Sequence, residues 1–183
     1  MARTLDEILN EQKITDLGKD GTYIAVKFTP ESQDKLQALA KSLELDNIVA
    51  KEKYHITVVY SRKPFTNFTV NGKLKKPWLV HPTELEIFDT QSGSRALVLR
   101  LDAPKLVDRH EYFEREFGAT YDFDEYKTHV TLSYDVGADW QIPEDFDVKK
   151  MFKTLSIGEE YYEPLNNDWA SKSTESDDKK DKE

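Results

Sequence analysis

HITVVYS at residues 55–61 and HVTLSYD at residues 129–135 decide how this chain is read. Each is a short apolar, β-branched run that opens on His-x-Thr, the composition of a strand. Residues two apart on a strand share a face, so His55 and Thr57 point one way and Ile56 and Val58 the other; His129 and Thr131 repeat the arrangement. Upstream, residues 22–28 (TYIAVKF) read as a strand, with Thr29 as N-cap and Pro30 at the first turn of a helix that lines up Leu36, Leu39, Ala40 and Leu43. The second motif has the same approach: residues 95–101 (RALVLRL) form a strand. Asp102 and Pro104 then start a helix carrying Leu106, His110, Phe113 and Phe117, and Gly118 stops it. The histidines stand 74 positions apart, and Ile24 and Val98 each precede their histidine by 31. An internal duplication of strand, helix and strand on an α+β fold accounts for all of this.

Other segments fit around the two copies. Thr4-Leu5-Asp6-Glu7 has the form of a capping box and predicts a first helix to about Leu17. Residues 65–70 and 78–88 predict two strands joined by a turn at Asn71-Gly72, extending the sheet or covering its edge. A further strand is expected through Ile157. GEEYYEPLNNDW at residues 158–169 shows no clean period, and Pro164 to Asn167 reads as a mobile stretch. The polar tail 171–183 is expected to be disordered, leaving one domain over residues 1–170.

At 183 residues and 21.3 kDa the chain can bury a core without staples. It has no cysteine, which removes a thiol nucleophile, a Cys zinc site and disulfides from consideration. No run of about eighteen apolar residues occurs, and the N-terminus has no apolar signal core, so a soluble cytoplasmic protein without membrane contact is expected. The net charge of -9 argues against a long nucleic acid as partner, since such binding neutralises many phosphates at once. Between Lys51 and Lys76, however, seven basic residues stand against Glu52 alone, which suits a small anion or, equally, a solvated basic face.

If the halves pack about a pseudo-twofold axis, two imidazoles and two hydroxyls converge on one groove. A neutral imidazole can take a proton from an attacking hydroxyl while a protonated one supplies a proton to the leaving oxygen. Imidazole titrates near 6.5, so both forms are within reach at neutral pH. Threonine hydroxyls can hydrogen-bond the non-bridging phosphate oxygens. His55, Thr57, His129 and Thr131 are thus the candidate catalytic residues, with no metal or other cofactor required. His81 and His110 belong to neither motif and are assigned to surface or structure. A zinc site is disfavoured, because neither motif histidine has a close-spaced ligand partner.

On these motifs, His55-Ile56-Thr57 and His129-Val130-Thr131, the sequence resembles the two-histidine (2H) phosphoesterase superfamily over roughly residues 20 to 160. Within it the nearer likeness is to the phage anti-CBASS nucleases, carried by TYIAVKFTPES, NIVAKEKYHITVVYS, KTHVTLSYD and a short C-terminal segment ending in tryptophan. The resemblance implies two antiparallel sheet lobes flanking a central groove, with helices outside. It also implies hydrolysis of 3′-5′ bonds in cyclic di- or trinucleotide messengers such as cyclic GMP-AMP to linear 3′-phosphate products, in the cytoplasm of a phage-infected host, which would block CBASS signalling. By position it implies substrate-binding roles for Tyr23, Glu163 and Trp169, the rings stacking on bases and the carboxylate reading a base edge. Three other readings stay open: an RNA-processing or 2′-5′ RNA ligase-like enzyme of the same superfamily, a non-catalytic cyclic-nucleotide sponge, and an inert interaction module. The assignment of acid and base, base preference, ring size and oligomeric state are left open by the sequence.

Overall fold

The computed structural model describes residues 12–14 and 20–165. Among the described residues eight strands and two helices follow in the order β1 (Gln12–Ile14), β2 (Gly21–Phe28), α1 (Pro30–Ser42), β3 (His55–Ser61), β4 (Phe68–Val70), β5 (Gly72–Asp89), β6 (Arg95–Asp102), α2 (Pro104–Phe117), β7 (His129–Ser133) and β8 (Leu155–Leu165). Short 3-10 turns occupy Lys51–Lys53 and Val148–Lys150.

Six strands form one antiparallel sheet in the order β3-β2-β8-β5-β6-β7, while β1 and β4 pair separately. The long β5 joins two lobes: Gly72 to Val80 pair with β8, and His81 to Asp89 pair with β6. Between Lys73 and Trp78 its register shifts, so residues 74–77 stand against Gly158 alone and the sheet bends. Strands β3 and β7 lie at opposite ends of the sheet order yet touch each other, so the sheet curls round until its two motif strands meet.

The helices cover the outer face. α1 buries Leu36, Leu39 and Ala40, and α2 buries Leu106, His110 and Phe113, against a main core that includes Ile24, Val26, Phe28, Leu97, Leu99 and Leu101. Thr29 caps α1 through a contact from the Ser32 amide, and Gly118 closes α2 with φ 67° in the left-handed region. A smaller cluster of Tyr23, Ala25 and Leu165, flanked by Tyr60 and Tyr161, occupies the opposite face of β2 and β8.

Four expectations need correcting. Residues 12–14, placed by the capping box inside a first helix, form a strand against β4; the remainder of that segment lies outside the described residues. Asn71-Gly72 is not a hairpin turn, because β4 and β5 do not pair; it is a corner between sheets, with Asn71 bonded through its amide and side chain to Glu160 Oε1 at 3.0 and 2.9 Å. Asp102 ends β6, and Ala103 takes the N-cap position of α2. Strand β8 continues past Ile157 to Leu165, so Pro164 and Leu165, read as mobile, pair with Thr22 and Gly21. That strand lies between β2 and β5 and carries fully buried Glu160, whose carboxylate is held by Arg109 at 2.7 and 3.0 Å. A buried, paired carboxylate breaks any hydrophobic alternation. Trp169 and the tail from Ser171 lie outside the described residues.

Candidate active site

Each motif strand carries a β-bulge at the same place. Opposite β2, Thr57 pairs with Ala25 and Val59 with Ile24, which leaves Val58 as the extra residue. Opposite β6, Thr131 pairs with Val98 and Ser133 with Leu97, which leaves Leu132 extra. The ladder therefore equates Ala25 with Val98, one position away from the Ile24 match suggested by equal spacing, so the two connections differ by one residue.

The bulge has a consequence for side-chain direction. A regular strand turns the residue five after the histidine to the opposite face, and one inserted residue restores it. Tyr60 accordingly pairs with Tyr23 and shares a face with His55 and Thr57, which pair with Lys27 and Ala25. Read with this in mind, the repeat extends to Lys-x-His-x-Thr-x-x-Tyr: Lys53, His55, Thr57 and Tyr60 in one half, Lys127, His129, Thr131 and Tyr134 in the other. The lysines and tyrosines were legible in the sequence as identities at fixed offsets, and His-x-Thr alone overlooked them.

Those offsets do specific work at the histidines. His55 Nδ1–H donates to the Lys53 carbonyl at 2.9 Å, and His129 Nδ1–H donates to the Lys127 carbonyl at 2.7 Å. Since a carbonyl only accepts, both neutral rings are fixed in the Nδ1–H tautomer with a bare Nε2. Both histidines are partly buried. Burial of the ring lowers the pKa of each below the ordinary 6.5, against the partial opposition of the backbone bond. Beyond these, His55 feels the favourable charge of Glu163 and the unfavourable charge of Lys27, whereas His129 is disfavoured by His55 and Arg100 and assisted by Glu86. Strands β3 and β7 touch, which brings the two motifs together, and a charge on His55 is among the influences that lower the pKa of His129.

Around them, Tyr23 Oη and Thr57 Oγ1 share a hydrogen bond of 2.9 Å, and the Tyr23 ring meets His55 edge-on at 6.4 Å. Burial raises the Tyr23 hydroxyl well above its usual 10.0, so it stays a neutral phenol. Tyr23 is 8% exposed, a buried strand aromatic whose visible task is to brace Thr57. Glu163, on β8, pairs in register with Tyr23 and is exposed. On the other lobe Phe88 meets His129 edge-on at 4.9 Å. Each motif histidine thus has an aromatic neighbour; the sequence offered Phe88 no motif of its own.

The seven-cation run disperses. Lys51 pairs with Asp34 at 3.0 Å and Arg62 with Asp122 at 2.8 Å, both at the exposed surface. The cations opposite the histidines are Lys27 and Arg100, which lie outside that run. His81 is an exposed residue bonded to the Lys153 carbonyl, and His110 is buried, as assigned. Among the described residues no group of three or more His, Asp or Glu side chains is placed to hold a metal ion, and no helix is long and apolar enough to cross a membrane.

Comparison with known proteins agrees with the family resemblance read from the sequence. The family model described as anti-CBASS protein Acb1 matches residues 20–172. The chain is 40% identical over 157 residues to the Acb1 of Acinetobacter phage Ac42, covering 86% of this chain and 98% of that protein. It is 41% identical over 155 residues to that of Enterobacteria phage T4, covering 82% and 91%. Among solved structures it is similar to E. coli LigT complexed with 3′-AMP, at a TM-score of 0.49 and 14% identity over 80% of this chain and 95% of that one. On its match to the family model and its identity with these phage proteins, the chain belongs to the family of anti-CBASS protein Acb1.

Proposed function

We propose that the chain is a phosphodiesterase that opens the 3′-5′ linkages of small cyclic nucleotide messengers, acting in the cytoplasm of an infected cell and relieving CBASS defence. The observation that carries this reading is the matched pair of imidazoles, each held by its own backbone carbonyl with Nε2 bare and a threonine two residues on. Family membership supplies the substrate class.

One imidazole Nε2 accepts the proton of a ribose 2′-hydroxyl as its oxygen attacks the adjacent phosphorus. The other, protonated, gives its proton to the departing 5′ oxygen, leaving a 2′,3′-cyclic phosphate. The roles then reverse: the second imidazole takes a proton from water, the first returns one to the 2′ oxygen, and a 3′-phosphate end results. Thr57 and Thr131 donate to the non-bridging oxygens where charge accumulates. Both histidines favour the neutral form in the free protein, and a bound phosphodiester anion restores the proton to one of them. Tyr23 holds Thr57 in place, and Glu163, beside His55, contacts the nucleotide on that lobe. Trp169, whose assignment rests on sequence resemblance, joins them.

The test is incubation with cyclic di- and trinucleotides in EDTA, followed by chromatography of the products. Linear products ending in 3′-phosphate are expected. Replacing the 2′-hydroxyl beside the cleaved bond by hydrogen should stop turnover, and undiminished cleavage of the deoxy compound would reject attack by the 2′ oxygen.

A further inference from the structure

The groove has two unlike walls. On the His55 side the wall formed by β2 and β8 presents Tyr23, Tyr161, Glu159 and Glu163, and its cation Lys27 lies over the Tyr161 ring at 4.8 Å and pairs in register with Glu159. On the His129 side β5 and β6 present Glu84, Glu86, Phe88 and Arg100 on the same face as His129 and Thr131. There Arg100 Nη1 donates to Glu86 Oε1 at 2.8 Å, while Lys127 Nζ lies 3.9 Å from the other oxygen of the same carboxylate and 5.7 Å from the Phe88 ring centre. Two cations share one carboxylate, and one holds it only at long range. Arg100 Nε is buried and meets no hydrogen-bond acceptor among the described residues. The Lys127 side chain is 41% exposed. The ring of Phe88 is half-buried and adjoins His129.

We propose that Phe88, Arg100 and Lys127 form a second nucleotide subsite, which takes the base and phosphate of the nucleotide that is not being cleaved. The inference rests on the reading above, in which the reacting phosphate lies between the two imidazoles. A cyclic dinucleotide carries a second phosphate and a second base on the far side of its ring. Lys127, held by Glu86 only at 3.9 Å, and the unsatisfied Nε of Arg100 are the groups on this wall that attract that phosphate. Phe88 offers the base an apolar face, and Lys127, already above that ring, closes over it. Arg100 remains anchored by Glu86, and Lys127 exchanges its distant carboxylate for the phosphate.

The experiment measures binding of a cyclic dinucleotide with 2′-deoxyriboses, which cannot react through a 2′ oxygen, by calorimetry at low and moderate ionic strength. Lys127→Ala should weaken binding about tenfold at low salt and flatten the dependence on ionic strength, since one screened attraction is gone. Phe88→Ala should weaken binding by a similar factor with the salt dependence of the wild type, and Phe88→Trp should restore it. A purely structural role for these residues would not separate the two salt responses. Lys127→Ala with wild-type affinity and salt dependence would overturn the subsite. A wild-type protein that binds no cyclic nucleotide at all would instead remove the functional reading, and the subsite with it.

Discussion

The Nδ1–H of His110 on α2 donates to the carbonyl of Val58, the bulge residue of β3, at 2.7 Å. A bulge interrupts the ladder and leaves its carbonyls to be satisfied elsewhere. Here Tyr126 Oη–H donates to the Thr57 carbonyl at 2.5 Å, and its ring stacks on His110 at 4.1 Å. The other bulge is treated reciprocally, with the Val49 amide donating to the Leu132 carbonyl at 3.0 Å. Each half of the duplication thus caps the motif strand of the other, and this holds the two edge strands together.

His110→Ala removes the donor and leaves a buried carbonyl unpaired beside a small cavity. A loss of about 3 kcal/mol is expected in denaturant unfolding, together with slower turnover as Thr57 loses its fixed position. His110→Gln keeps an N–H within reach of the same carbonyl and should recover part of both. Loss of stability with unaltered turnover would separate the cap from the site.

Glu160 is fully buried and receives Arg109 in two hydrogen bonds. Arg109→Met leaves the carboxylate without its counter-charge, and about 3–5 kcal/mol of stability should be lost. Adding Glu160→Gln removes the stranded charge, so the double variant should be more stable than Arg109→Met alone. Chemical unfolding of the single and double variants measures the coupling, and simple additivity would contradict it.

The duplication, the Thr29 and Gly118 caps and the four motif residues were readable in the sequence because they depend on local periodicity and on identities at fixed spacing. Strand β8 was only half readable, since Glu160 interrupts its pattern and its justification, Arg109, lies 51 positions away. Phe88, Arg100 and the role of His110 were hidden for the same reason: each contact joins elements distant in sequence. The bulges left a trace in the tyrosines five residues after each histidine, which face the groove only if one residue is inserted.

Depressed histidine pKa values set a pH dependence of stability. Below the ordinary 6.5 the unfolded chain protonates His55 and His129 more readily than the folded one does, so stability falls as pH drops from about 6.5 through the lower folded values. A His55→Gln, His129→Gln double variant should lose less stability than the wild type between pH 7.5 and 5.5. Parallel unfolding curves across that range would contradict the shifts.

Glu163 raises the pKa of His55, so Glu163→Gln should lower it further. The limb of the kcat/KM profile that His55 sets, the acid limb if it is the base and the alkaline limb if it is the acid, should move to lower pH in this variant. Tyr23→Phe, which keeps the ring and removes the bond to Thr57, should reduce kcat more than it raises KM.

On the proposed reading one site with two imidazoles cuts the ligand and does not merely hold it. The most direct measurement compares wild type, His55→Ala and His129→Ala for product formation from a cyclic dinucleotide in EDTA, alongside binding of its 2′-deoxy analogue. Each substitution is predicted to cut product formation by about a hundredfold or more while affinity for the analogue changes by a few-fold. Wild-type protein that depletes free ligand without forming a linear product, matched in this by both variants, would make the chain a sponge and contradict the account.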